Sequence, residues 1–124
     1  TFSDVATLLG ATTTPSPPLP RSPLLITLVW RAERETPLSY HVFVHLVDEA
    51  GQILAQSDDE PANWRRPTTG WLPGEIIVDE HMLTLPGDLP DGPLRLRVGL
   101  YDPDSGKRLT TGTADFVVIP LGDR

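Results

Sequence analysis

Large apolar side chains recur at every second position in three segments of the chain, which is the period of a half-buried β-strand. In residues 24–31 they are Leu24, Ile26, Leu28 and Trp30; in residues 40–47 they are Tyr40, Val42, Val44 and Leu46; in residues 94–101 they are Leu94, Leu96, Val98 and Leu100. Because the three patterns match, we predict one shared core. Its members are Ile26, Leu28, Val42, Val44, Leu46, Leu96, Val98 and Leu100.

Further strands are predicted in residues 2–10, 53–57, 75–85 and 113–119, and no segment has the helical period. Within residues 75–85 the apolar parity changes around Asp79, Glu80 and His81, which predicts a β-bulge. Turn residues separate the strands at the spacing typical of a sandwich. The chain is therefore predicted to be one all-β domain over residues 1–124. Its fold would be an antiparallel β-sandwich of seven or eight strands, immunoglobulin-like or jelly-roll-like.

Two segments interrupt this pattern. Residues 11–23 hold three threonines and five prolines and are predicted to be a surface crossing, an edge segment or a linker. Residues 58–74 exceed the roughly 12–15 residues at which an unstructured loop becomes unusual. Phe43 and Val47 would form an exposed apolar stripe unless something covers them. We therefore predict that residues 61–73 fold across the face bearing His41, Phe43 and His45, anchored by Trp71.

Composition narrows the classes of function. The 124-residue chain has a formal net charge of −7, which disfavours nucleic acid and anionic membrane as partners. No stretch approaches the roughly 20 apolar residues of a membrane span. The absence of cysteine excludes disulfides, thiolate metal sites and cysteine nucleophiles. Because the chain has no initiator methionine, we interpret it as a piece of a longer protein. We also expect no cofactor.

The candidate catalytic and metal-binding residues are weak. His41 and His45 lie four residues apart on a predicted strand, about 13 Å in extended backbone, too far to share one zinc ion. Two acidic clusters, Asp58-Asp59-Glu60 and Asp79-Glu80, are better explained as turn-solvating groups than as a calcium site or a glycosidase pair. No nucleophile-elbow or phosphate-loop motif occurs. We predict no catalytic residue and no metal site.

The long loop contains the candidate ligand-binding residues Trp64, Arg65, Arg66 and Trp71. Aromatic faces and arginine guanidinium groups suit sugars and anionic partners. The alternative is that the tryptophans are buried as loop anchors, stacked on the arginines. This alternative is favoured for Trp71, because Pro73-Gly74 directs the chain back into a strand, whereas for Trp64 the two interpretations are equal.

An ordered set of short motifs resembles a known module. The set comprises Trp30-Arg31-Ala32, Tyr40-x-Val42-Phe43-Val44-His45-Leu46, Gly51, Gln56-x-Asp58, Pro61, Pro67-Thr68, Trp71-x-Pro73-Gly74-Glu75, Asp79, Leu85-Pro86 and Gly99-Leu100-Tyr101-Asp102. It is similar to the β-sandwich domain at the C-terminal end of some bacterial polytopic membrane glycosyltransferases of the dolichyl-phosphate-mannose-protein mannosyltransferase-like superfamily, a module that also occurs in other uncharacterised surface proteins. The resemblance spans about residues 8–109. It departs from the family at His81, where an aromatic residue is expected, and in the short Gly92-Pro93-Leu94 turn.

The resemblance implies a non-catalytic, extracytoplasmic accessory module of a larger envelope protein, because the transfer chemistry of that family belongs to its membrane part. Its expected partners are the remainder of the parent protein and a glycan, with no nucleic acid and no membrane insertion by this segment. The alternative is a structural interaction domain that docks on its own parent protein without a ligand. A small hydrolase is the least favoured hypothesis.

Overall fold

A computed structural model describes residues 2–14, 21–59, 67–89 and 92–123, and in these ranges seven strands form two antiparallel sheets. The strands are β1 (Ala6–Thr14), β2 (Pro23–Ala32), β3 (His41–Val47), β4 (Ile53–Asp59), β5 (Ile76–Thr84), β6 (Pro93–Tyr101) and β7 (Val117–Asp123), with a 3-10 turn at Thr68–Gly70. One sheet has the order β1-β2-β5 and the other β4-β3-β6-β7. The predicted β-sandwich is confirmed, and the pairings β2–β5 and β3–β6 give the Greek-key order of immunoglobulin-like sandwiches.

The predicted core is confirmed. All eight side chains expected to be buried together are 0% exposed: Ile26, Leu28, Val42, Val44, Leu46, Leu96, Val98 and Leu100. They come from β2, β3 and β6, so both sheets contribute to one apolar layer. In the described part of the chain no helix is long and apolar enough to cross a membrane.

The predicted bulge in β5 is wrong. This strand pairs with β2 in unbroken register from Pro23↔Thr84 to Arg31↔Ile76. Ile77, Asp79, His81 and Leu83 all face the core, and the residues between them are exposed. The hydrophobicity pattern failed because two polar residues occupy core positions, where hydrogen bonds, described below, satisfy them.

The ends of the chain differ from the predicted bounds. β1 begins at Ala6 and continues through Thr14, so part of the threonine- and proline-rich segment is an edge strand; residues 15–20 lie outside the described ranges. The last strand begins at Val117 and not at residue 113. An isolated bridge between Thr111 and Ala114 precedes it, within a connection that crosses the outer face of the four-stranded sheet.

The described part of the long loop lies elsewhere than predicted. Trp71 is 1% exposed and belongs to the core between the sheets, together with Trp30 and Tyr40. Thr68 Oγ1 accepts a hydrogen bond from the backbone N–H of Tyr40 at 2.8 Å and donates one to a carbonyl in the loop before β3. Residues 67–73 therefore close one end of the sandwich. Arg108 lies over the Phe43 ring and supplies cover on this face, while residues 61–66 of the predicted cover lie outside the described residues.

Candidate functional site

The outer face of the four-stranded sheet brings together chemically diverse side chains. The register of β3 and β6 places His41 opposite Tyr101, Phe43 opposite Gly99, and His45 opposite Arg97. On the other side of β3, Phe43 is opposite Asp58 of β4. These positions alternate with the core residues of the same strands, so their side chains point away from the core.

Phe43 forms the floor of this surface because its neighbour on β6 is a glycine. A Cβ atom at position 99 would lie 2.4 Å from the Phe43 ring, so only glycine leaves room for the aromatic side chain. The guanidinium carbon of Arg108 lies 4.2 Å from the centre of the same ring, on the solvent side. A backbone bridge between Tyr101 and Arg108 holds the arginine in position. Phe43 is only 2% exposed.

A cleft of about 320 Å³ opens beside this stack, lined by Phe43, Asp58, Tyr101, Gly106 and Arg108. Asp58 is exposed, and within the described ranges no group donates a hydrogen bond to its carboxylate. Tyr101 is half-buried, with its ring edge-on to His41 at 5.6 Å between centroids. The cleft thus combines aromatic surface, a carboxylate acceptor and a guanidinium donor.

A second cavity of about 450 Å³ lies on the other side of Arg108, lined in part by Leu38, Tyr40, Asp102 and Ser105. Two of its polar side chains, Asp102 and Ser105, are already used to shape the hairpin after β6. Asp102 accepts hydrogen bonds from the backbone N–H of Asp104 and from the Ser105 hydroxyl, both at 3.0 Å. We therefore regard the smaller cleft as the better candidate for ligand recognition, since its acceptor is not engaged by the hairpin.

The pKa of His45 is shifted by burial and by the charges on this face. Burial lowers the pKa of its imidazole, and the positive charges of Arg108 and Arg97 lower it further, while Asp58 acts in the opposite direction. His45 and His41 lie on either side of Phe43 along β3. In the described part of the chain, no three histidine, aspartate or glutamate side chains come together as metal ligands.

A buried polar network links the two sheets at the β4–β5 edge. Trp30 Nε1 donates to Asp79 Oδ2 at 3.1 Å, and His81 Nε2 lies 2.7 Å from the same oxygen. The Nδ1 atom of His81 is 3.3 Å from the Ser57 hydroxyl of β4. The sequence did not predict this network, since the partners Trp30 and Ser57 lie far from Asp79 and His81 along the chain.

The order serine, histidine, aspartate is that of a hydrolase triad, so its accessibility decides what it can do. His81 is 1% exposed and Asp79 is 0% exposed, both between the sheets. In such a triad the serine oxygen attacks the substrate carbonyl and the histidine Nε2 takes its proton, whereas here Nε2 of the buried His81 lies on Asp79 and Nδ1 faces Ser57. The network is therefore a structural link, in which each buried polar group has a partner.

The predicted ligand-binding residues fall into two groups. Trp64, Arg65 and Arg66 lie outside the described residues, so their role stays a prediction. Trp71 is buried in the core, as the loop-anchor alternative predicts, and it lines neither cavity described above.

Tyr101, Arg108 and Gly99 were not predicted as site residues. The available signal was the isolated glycine within the most regular strand, which indicates close approach of another group.

Comparison with known proteins found no match. No protein-family model matches the chain, and a search of curated proteins finds no significant sequence similarity.

Proposed function

We propose that this domain is a non-catalytic, extracytoplasmic accessory module of a larger envelope protein, and that it binds a glycan in the cleft on its four-stranded sheet. One observation carries the proposal. Asp58 and Arg108 line the same cleft, whose floor is aromatic. A carboxylate that accepts hydrogen bonds and a guanidinium that donates several can therefore contact one ligand.

Sugars match this combination of groups. A sugar hydroxyl both donates and accepts, so one ring can donate to the Asp58 carboxylate and accept from the Arg108 guanidinium. The apolar face of the ring packs on the half-buried Tyr101 side chain. A purely apolar ligand would offer neither charged group a polar partner, and a compact dianion would be repelled by Asp58.

The number of carboxylates that line the cleft supports a binding role over hydrolysis. Glycosidases that use paired acids place two carboxyl groups about 5–10 Å apart across the scissile bond. Among the described residues that line this cleft, Asp58 is the one carboxylate. A single acid can accept hydrogen bonds from hydroxyl groups, but it cannot supply both the acid and the base or nucleophile.

The family resemblance supports the same role. Four residues at the cleft belong to the motifs on which the resemblance rests: Phe43, Asp58, Gly99 and Tyr101. The family's accessory domains stand beside a membrane-embedded glycosyltransferase, so we propose the cell envelope as the location and the remainder of the parent protein as a partner.

Docking on the parent protein without a ligand is the second candidate. It is favoured by the outer face of the three-stranded sheet, where Ile76, Val78 and Met82 are 51%, 56% and 56% exposed. Cross-strand pairing places Met82 beside Leu25 and Val78 beside Val29, which makes the apolar surface continuous over two strands.

A glycan array, followed by calorimetry on the best ligand, tests the proposal. Asp58→Asn and Tyr101→Ala should each weaken binding roughly tenfold or more, because each removes a charge-assisted hydrogen bond or an aromatic contact. Glu80→Gln, an exposed change on the other sheet, is the matched control and should bind as the parent does.

The absence of any bound glycan would overturn the proposal. Loss of association with the rest of the parent protein on replacing Val78 and Met82 by serine would then favour docking.

A further inference from the structure

Arg97 differs from three other arginines in the kind of contact that its guanidinium group makes. Arg31 pairs with Glu33 at 2.9 Å, Arg108 contacts Asp115 at 3.5 Å, and Arg95 donates to the backbone carbonyls of Asp48 and Glu49, both at 3.2 Å. Arg97 makes no such contact with the described residues. Its guanidinium carbon lies instead 4.9 Å from the centre of the Phe116 ring.

The position of the Arg97 guanidinium is fixed from two sides. Phe116 lies against one side, and the turn between β3 and β4 lies against another, where Arg97 Nη2 would be 3.2 Å from a Cβ atom at Gly51. Gly51 has φ of +84°, so glycine both permits this turn and leaves space for the arginine. An oriented guanidinium loses less conformational entropy when it binds a ligand.

Arg97 also lies next to the proposed glycan cleft. It precedes Gly99 by two residues on the same face of β6, which places the two about 6.6 Å apart along the strand. His45 lies opposite Arg97 on β3, and its ring is 5.1 Å from that of Phe43 between centroids. A ligand that leaves the cleft in the direction of His45 therefore reaches Arg97.

We propose that Arg97 is a subsite for an acidic substituent, a carboxylate or a sulfate, on the glycan that binds in the cleft. This inference rests on the proposed function, and it names the ligand class as an acidic oligosaccharide, such as one containing a hexuronic acid or a sulfated sugar. The planar guanidinium presents parallel N–H donors that match a carboxylate or sulfate in bidentate geometry. The Phe116 ring lies 4.9 Å from the guanidinium carbon, and no described residue accepts a hydrogen bond from the Arg97 N–H groups.

The charges on the sheet would also orient the ligand. Asp58 repels an acidic group near the β4 side of the cleft, whereas Arg97 attracts one on the β6 side. Asp115 already contacts Arg108, so that arginine is less available to a second carboxylate. The acidic substituent is therefore expected at Arg97, with the neutral hydroxyls of the ring at Asp58 and Arg108.

Calorimetry with paired ligands tests this assignment. One pair is a hexuronic acid oligosaccharide and the same compound with its carboxyl groups reduced to alcohols; the other is a sulfated oligosaccharide and its desulfated form. We expect about tenfold tighter binding of at least one acidic member, a preference that falls with added salt. Arg97→Gln should abolish the preference without weakening the neutral ligands, and Arg97→Lys should restore part of it. Arg31→Gln on the other sheet is the matched control and should keep it.

The outcomes separate the two proposals. Equal binding of acidic and neutral ligands, unchanged by Arg97→Gln, would overturn the acidic subsite and leave glycan binding intact. If no oligosaccharide binds, the proposed function fails, and titration with inorganic sulfate then decides the subsite. NMR shifts centred on the Arg97 Nε–H and the Phe116 ring would support an anion site there, and their absence would overturn it.

Discussion

The Phe43 ring fills the space that a side chain at Gly99 would need, with two ring carbons 2.4 Å from the position of a Cβ atom. The two residues are direct partners in the register of β3 and β6. The guanidinium carbon of Arg108 lies 4.2 Å from the centre of the same ring, and the cleft is lined by both residues. One glycine in a regular strand therefore determines whether the proposed site exists.

Gly99→Ala should lower the free energy of unfolding by about 1–3 kcal/mol, as overpacking does elsewhere, because the added methyl group must displace the Phe43 ring. Chemical denaturation measures the change. Gly10→Ala is the matched control, since no neighbouring atom lies within 4 Å of its Cβ position. If the two variants were equally stable, the close approach of Phe43 to β6 would be disproved.

The sequence was sufficient to predict the sandwich and its core because alternation of apolar residues directly encodes a half-buried strand. The eight predicted core residues, including Val44 and Leu96, are all fully buried. The same rule failed in β5, where Asp79 and His81 take core positions. Their partners Trp30 and Ser57 are distant in sequence, so no local pattern could show that these polar groups are satisfied.

The candidate site could not be predicted for a related reason. The Phe43–Arg108 contact joins residues from β3 and from the connection after β6, and it depends on the fold bringing them together. The prediction that Phe43 needs a cover was correct, since the residue is 2% exposed. The choice of residues 61–73 as the cover was wrong for the described residues 67–73, because Trp71 had a larger apolar surface to join in the core.

Asp79→Ala should destabilise the domain strongly. The change leaves the Trp30 Nε1–H group and His81 Nε2 without this acceptor inside the core. Each buried polar group left without its hydrogen-bond partner costs about 1–3 kcal/mol, so the denaturation midpoint should fall markedly. Glu80→Ala, at the exposed neighbouring position, should change stability by less than about 0.5 kcal/mol. A similar small effect for Asp79→Ala would show that the network contributes little to stability.

Trp71→Ala should loosen the segment that closes one end of the sandwich. Large-to-small changes of a buried tryptophan cost about 3–5 kcal/mol, and the amides held by this segment should exchange faster. Two informative probes are the N–H of Tyr40, bonded to Thr68 Oγ1, and the N–H of Gly74, bonded to the Ala32 carbonyl at 2.7 Å. Leu72→Ala is the control, since Leu72 is 60% exposed. Unchanged exchange at both probes in Trp71→Ala would contradict the anchoring role.

The pH dependence of stability should include a contribution from His45. Its pKa in the folded state lies below the ordinary value of 6.5, chiefly because burial disfavours the imidazolium ion. In the window below pH 6.5 the unfolded chain binds more protons at this site than the folded domain does, so stability falls as the pH falls. Above pH 6.5 the contribution is fully present. His45→Gln should therefore lose less stability than the parent between pH 7 and pH 5, measured by denaturation at both values.

The charges around His45 give this prediction a sharper form. Arg97→Gln should raise the pKa of the imidazole, because it removes a positive neighbour, and Asp58→Asn should lower it, because it removes the opposing negative charge. Titration of the His45 ring protons by NMR measures both shifts, and Arg31→Gln on the other sheet should leave the midpoint unchanged. An acidic oligosaccharide bound at Arg97 should raise the same pKa, since its negative charge favours the imidazolium, and by linkage it should bind more tightly as the pH falls. A neutral oligosaccharide in the cleft should lack this rise, and a rise of equal size with both ligands would contradict the placement of the acidic group beside His45.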